Sequence, residues 1–136
     1  MAETKAPAAR PLSPHLQIYR PMLTMMMSIA HRITGFVLYF GTLLLAWWLI
    51  AAASGPTSYS RIEWFSSSII GRLILFGYTW ALIHHALGGI RHLIWDLIYG
   101  FDSSERETLA LATIIGSVVL TILVWVIGLL AMGGPR

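Results

Sequence analysis

Three long stretches without a charged residue constrain this chain more than any other feature. They are Ile33–Ala53, Leu73–Ile90 and Thr108–Met132. About 20 apolar residues are needed for a helix to cross the hydrocarbon core of a bilayer. In that core the backbone must satisfy its own hydrogen bonds, which a helix does. The sequence therefore predicts an all-α membrane protein with three transmembrane helices.

The polar segments between these stretches set the predicted helix ends. Ser54-Gly55-Pro56 closes the first helix, and the acidic segment 100–107 separates the second from the third. Gly and Pro are the strongest local terminators of a helix. We predict helices at about 24–53, 69–99 and 108–132, with a polar loop over residues 54–68.

Residues 1–21 differ from the rest of the chain because they are polar and contain four prolines. Proline lacks a backbone donor and disrupts a helix interior. We predict an extended N-terminal arm over residues 1–21, followed by a single three-helix transmembrane domain over residues 22–136.

Composition excludes several classes of function. Only 11% of the residues are charged, against about a quarter in a soluble domain. The absence of cysteine excludes disulfides, iron–sulfur ligation and thiolate metal sites. No run of lysine or arginine indicates nucleic-acid binding, and no nucleotide loop or flavin fingerprint is present.

Positive charge is unequal on the two sides of the predicted bundle. Six cationic residues fall on the side of the N-terminus and three on the other. Because cytoplasmic loops carry the excess of Lys and Arg, the N-terminus is expected inside and the C-terminus outside. The six are Lys5, Arg10, Arg20, Arg32, Arg91 and Arg106.

The second predicted helix carries an unusual polar stripe. His85, Gly89, His92 and Asp96 follow one another at i, i+4, i+7 and i+11, so they share one helix face. Ionisable groups in a membrane are costly and face a bundle interior, a cavity or a ligand. Asp96 also has a simpler explanation, since it could pair with a nearby arginine.

The first helix opens with a second polar group. Ser28, Arg32 and Gly35 share a face, and His31, one position away from Arg32, can face a neighbouring helix. Together with Arg91 and His92, these residues lie near the inner end of their helices. Such a group suits haem propionates or the carbonyls of a quinone, and the sequence leaves both uses open. Snorkelling toward lipid phosphates is the alternative for each arginine taken alone.

His85 is the strongest candidate for a metal ligand. It lies eleven residues from Asp96, roughly 16 Å deeper into the membrane at 1.5 Å per residue. A neutral imidazole with a free ring nitrogen is a common haem ligand, and Gly89 one turn away leaves room for a flat macrocycle. His84 points about 100° away and is predicted to contact another helix. Gly88 and Gly89 could instead serve only helix packing.

Three segments carry a resemblance to a known family. Arg10–Tyr19 reads RPLSPHLQIY, Ser28–Gly35 reads SIAHRITG, and His85–Asp96 reads HALGGIRHLIWD. Together they resemble the cytochrome b556 subunits of succinate dehydrogenase, the respiratory complex II. The resemblance covers the arm and the first two helices in order, whereas the third helix is similar only in being apolar.

The resemblance implies a membrane anchor in the bacterial inner (cytoplasmic) membrane. Such a subunit shares one haem b with a second membrane subunit and docks an iron–sulfur subunit and a flavoprotein subunit on the inner side. Electrons from succinate then reach ubiquinone, so oxidation of succinate itself belongs to the partners.

The resemblance also assigns roles to single residues. His85 matches the axial haem ligand, because the spacing H-x-x-x-G to Gly89 selects it over His84. Ser28 and Arg32 match residues of the quinone site. The remaining matches are three positions near the haem propionates, His31, Arg91 and His92, and an acid near the quinone entrance, Asp96.

Two other functions remain possible on the residues alone. One is an anchor subunit of a related fumarate reductase or another quinone enzyme, although cytochromes with two haems need four deep histidines. The other is a haem-free structural anchor or small transporter component, in which His85 would bind nothing.

Overall fold

The computed structural model of the chain describes residues 19–133. Residues 1–18 of the predicted arm and residues 134–136 lie outside this range. The described chain forms four helices and no strand. They are α1 (Leu23–Ala53), α2 (Pro56–Ser67), α3 (Ile69–Asp96) and α4 (Ser103–Gly133).

Helices α1, α3 and α4 are each long and apolar enough to cross a membrane. Large apolar side chains project outward along them, among them Phe36 at 66% exposure and Ile127 at 64%. Such a surface is incompatible with water and suits lipid. The prediction of an all-α membrane protein with three transmembrane helices is confirmed.

The segment 54–68 is not the predicted loop, because most of it forms the short helix α2. Gly55, at a φ of 101°, reverses the chain, and Pro56 occupies the first helical position, where its fixed φ favours a helix. Ile62 is the buried residue of α2, so this helix packs on the bundle through the face that carries Ile62. The Ser68 hydroxyl accepts a hydrogen bond from the Gly71 amide at 3.0 Å and caps α3.

The connection between α3 and α4 is shorter than predicted. The α3 helix ends at Asp96 rather than residue 99, and α4 begins at Ser103 rather than residue 108. The acidic segment that indicated a turn is largely the first turn of α4, where Glu105 is favoured by the helix dipole. Gly100, with a φ of 79°, makes the actual turn.

Helices α1 and α3 pack through two reciprocal contacts between a histidine ring and a glycine. The His31 ring of α1 lies against Gly88 of α3, so that a Cβ at Gly88 would overlap it. The His85 ring of α3 lies against Gly35 of α1, where a Cβ would be 2.9 Å from Cε1 of His85. Each helix therefore provides a notch for the ring of the other.

Helix α4 packs on α3 through small residues. Ala110, Thr113, Ser117 and Thr121 are all buried and lie on one face of α4. The hydroxyl of Thr121 donates to the Ser117 carbonyl at 2.7 Å, so it is satisfied within its own helix. Small side chains of this kind allow close approach of membrane helices.

The notch at Gly88 predicts a sensitive position. Gly88→Ala places a methyl group in the space of the His31 ring, and overpacking of this kind costs about 1–3 kcal/mol. We expect a melting temperature several degrees lower for the purified protein in detergent. Gly77→Ala, in the same helix, is the control because its Cβ would meet nothing within 4 Å. Equal melting temperatures for the two variants would show that the His31 ring does not pack against Gly88.

Candidate functional site

His85 is held by α1 at one of its two ring nitrogens. Its Nδ1 lies 3.1 Å from the backbone carbonyl oxygen of His31 and 3.3 Å from the Thr34 hydroxyl. A carbonyl oxygen only accepts hydrogen bonds, so Nδ1 must carry the hydrogen. The lone pair of the neutral ring is therefore on Nε2, the nitrogen that remains available to a ligand.

Three imidazole rings from α1 and α3 form one cluster. The rings of His31 and His85 are stacked, with centroids 4.0 Å apart and planes 7° from parallel. The ring of His92 lies 5.3 Å from that of His31. Nε2 of His31 is buried and has no hydrogen-bond partner among residues 19–133. The cluster thus contains a buried polar atom that still needs a partner.

His84 belongs to a different contact. It is only 2% exposed, and its Nδ1 lies 3.1 Å from the Ser117 hydroxyl of α4. That hydroxyl donates its own hydrogen to the Ile114 carbonyl, so it accepts from Nδ1 of His84. The prediction that His84 contacts another helix is confirmed. The histidine doublet is therefore divided between two faces of α3.

Arg91 lies away from the stripe of His85, His92 and Asp96. It is 4% exposed and borders a cavity of about 130 Å³ between α3 and α4, together with Leu109 and Thr113. Its guanidinium lies 5.2 Å from the centroid of the Trp95 ring, within cation–π range. Nε of Arg91 has no hydrogen-bond partner in the described part of the chain. His92 and Asp96 are exposed.

Ser28 and Arg32 are both exposed on α1. Arg32 follows His31 in the chain. The side chains of Ser28 and Arg32 therefore lie on a face of α1 next to the one that carries His31. Their spacing of four residues places a hydroxyl and a guanidinium one above the other. The structure leaves this pair open to a ligand or to another chain.

There is room beside the histidine cluster. A Cβ at Gly89 would meet nothing within 4 Å, in contrast to the packed notch at Gly88. Within residues 19–133, Gly88 is therefore the one of these two glycines that packs against another helix. A separate apolar groove of about 610 Å³ lies between α1 and α3. It extends from Thr34 and Ala81 to Phe65 of α2, and none of the three clustered histidines lines it. The space for a flat group at the cluster is therefore on the open side of Gly89.

The arrangement suits a haem better than a bare metal ion. Within residues 19–133 no three side chains of His, Cys, Asp or Glu come together as a metal-binding group. A haem iron is already held by four ring nitrogens and needs only axial ligands from protein. Nε2 of His85 is a donor of that kind.

Two residues of the site escaped sequence reasoning. Thr34, 1% exposed, bonds to His85, and Ser117, 0% exposed, bonds to His84. Thr34 lies three residues after His31 and thus on the same face of α1, which was a usable signal. Ser117 gave none, because hydroxyl residues in apolar helices usually bond to their own backbone.

Comparison with known proteins places this chain in a family. Residues 6–124 match the family described as succinate dehydrogenase/fumarate reductase transmembrane subunit. The succinate dehydrogenase cytochrome b556 subunit of Paracoccus denitrificans is 44% identical over 118 residues, covering 87% of this chain and 91% of the relative. That of Rickettsia conorii is 38% identical over 117 residues, with coverage of 86% and 91%.

A mitochondrial protein is also similar. The succinate dehydrogenase cytochrome b560 subunit of Bos taurus is 39% identical over 118 residues, covering 83% of this chain and 68% of the relative. With a family match over most of its length and bacterial and mitochondrial relatives of the same kind, the chain belongs to the transmembrane subunits of succinate dehydrogenase and fumarate reductase.

Proposed function

We propose that this chain is the membrane-anchoring cytochrome b subunit of a succinate dehydrogenase. It binds haem b and ubiquinone and passes electrons from the iron–sulfur subunit to quinone. One observation carries the proposal: Nδ1 of His85 faces the His31 carbonyl at 3.1 Å, so that the lone pair of the neutral ring lies on Nε2. The names of its bacterial relatives support the same function.

His85 holds the haem in this proposal. A hydrogen bond from Nδ1 to a carbonyl fixes the tautomer and orientation of an imidazole and makes Nε2 a better ligand. Gly89, open on its Cβ side, leaves space for the ring. When bound, the haem supplies one-electron redox chemistry inside the membrane. A histidine of the second membrane subunit would hold the haem together with His85.

His31, His92 and Arg91 hold the haem propionates. Nε2 of His31 and Nε of Arg91 are both buried without a partner in the described part of the chain, and a carboxylate accepts hydrogen bonds from a guanidinium and from an imidazole N–H. Arg91 lies on the α4 side of α3, so it acts from a different direction than the two histidines.

Ser28 and Arg32 line the head-group pocket for ubiquinone. A quinone carbonyl gains negative charge as it is reduced, and donors placed in advance stabilise that charge. The Ser28 hydroxyl and the Arg32 guanidinium lie on one exposed face of α1, where other subunits complete the site. Asp96, exposed at the end of α3, lies near the quinone entrance, on the path of protons from the aqueous side.

The partners follow from what the chain lacks. It has no cysteine, so the iron–sulfur clusters belong to another subunit, which docks with the flavoprotein subunit on the cytoplasmic side. The chain lies in the bacterial inner membrane with its N-terminus inside. Its family also includes fumarate reductase subunits, so an anchor that works in the fumarate direction is the second candidate. The ratio of succinate oxidation to fumarate reduction by the purified complex distinguishes the two.

The haem ligand is tested with two adjacent variants. His85→Leu removes the free Nε2, so we expect loss of the low-spin b-type spectrum in the purified complex. His84→Leu is the matched control, because His84 faces α4 and bonds to Ser117 there, and we expect it to retain the spectrum. An unchanged spectrum in both variants would exclude His85 as the ligand. A wild-type complex without a haem spectrum would instead favour a haem-free anchor.

The quinone site is tested with Arg32→Leu. Loss of a charged hydrogen bond costs about 1.5–3 kcal/mol, so we expect quinone turnover to fall roughly tenfold to a hundredfold. Succinate oxidation by an artificial acceptor that bypasses the membrane subunits should persist. Arg72→Leu, an exposed arginine at the other end of the bundle, should leave both rates unchanged. Normal quinone turnover in assembled Arg32→Leu would remove this residue from the site.

The orientation is tested with reporter fusions. Six cationic residues on one side against three on the other predict a cytoplasmic N-terminus and a periplasmic C-terminus. A reporter that is active only in the periplasm should therefore be active when fused after Arg136. If the reporter is active only when fused at the N-terminus, the predicted orientation and the predicted docking side of the partners are both wrong.

A further inference from the structure

The Thr34 hydroxyl has an unusual position for a threonine in a membrane helix. It lies 3.0 Å from the carbonyl oxygens of both Ala30 and His31 on its own helix, as expected for back-bonding. It also lies 3.3 Å from Nδ1 of His85 on α3. Its side chain is 1% exposed, so water does not compete for these bonds.

The hydrogens in this arrangement can be assigned by elimination. The Thr34 hydroxyl has one hydrogen, and both carbonyls can only accept it. Nδ1 of His85 carries a hydrogen because it also faces the His31 carbonyl. The Thr34 oxygen therefore accepts from Nδ1, which is shared between that oxygen and the His31 carbonyl.

We propose that Thr34 is a positioning residue for the haem ligand, acting through His85. The inference rests on the proposed ligation of haem by His85. With two acceptors at Nδ1, the imidazole is fixed against rotation about its own bonds, and its Nε2 donates more strongly to the iron. The stacked ring of His31 on one face restricts it further.

Thr34 affects the redox potential of the haem by the same route. Electron donation from an axial imidazole stabilises ferric over ferrous iron, and second-sphere hydrogen bonds are one way in which a protein sets a haem potential. Removing the Thr34 acceptor leaves only the His31 carbonyl. The midpoint potential then rises, and the ring becomes free to turn.

The test uses the assembled complex with three new variants, at Thr34 and Thr121, beside the His85→Leu variant described above. Thr34→Val keeps the shape of the side chain and removes the hydroxyl, whereas Thr34→Ser keeps the hydroxyl. Thr121→Val is the matched control, because Thr121 is equally buried and its hydroxyl bonds only to its own helix. The measurements are the haem midpoint potential and the fraction of ferrous haem that binds carbon monoxide.

We expect Thr34→Val to raise the potential and to create a fraction that binds carbon monoxide, since a loosened axial ligand vacates the iron. Thr34→Ser and Thr121→Val should match the wild type. If Thr34→Val also matches it while His85→Leu loses the low-spin spectrum, the positioning role is wrong and the proposed ligand remains. If His85→Leu keeps that spectrum, both the ligand and the positioning role are wrong.

Discussion

The contact between α1 and α3 is the interaction on which the rest of the structure depends. In lipid there is no hydrophobic force to bring two helices together, so close packing must do so. Here each helix places a histidine ring on a glycine of the other, His31 on Gly88 and His85 on Gly35. The same contact stacks the two rings and brings Nδ1 of His85 to the His31 carbonyl. The contact that packs the two helices therefore also fixes the tautomer of His85, the residue proposed to bind haem.

The fold was largely predictable because hydropathy is a local property. Three uncharged stretches are enough to predict three spans, whatever their partners. The α2 helix could not be predicted in this way, because its stability comes from the burial of Ile62 against the bundle. The start of α4 was predicted too late because the acidic residues before Thr108 favour two different structures. They are typical of turns, and they also favour the first turn of a helix.

The candidate site was predictable to the extent that helical periodicity decides which residues share a face. It separated His84 from His85 and directed His31 toward a neighbour, and the structure agrees with both. Periodicity could not identify the partners of those faces. Thr34 and Ser117 acquire a role only when another helix brings a ring nitrogen to them, and the position of Arg91 beside α4 depends on the same packing.

The division of the histidine doublet has a mechanical consequence for α3. His85 is bound to α1 and His84 to α4, through the same ring atom of each residue. Since the two side chains are consecutive and point in different directions, any turn of α3 about its axis strains both bonds together. The two bonds together therefore restrain rotation of α3. A redox group bound to His85 would therefore keep its distance and angle to its neighbours as electrons arrive and leave. Each electron transfer would then require less structural rearrangement.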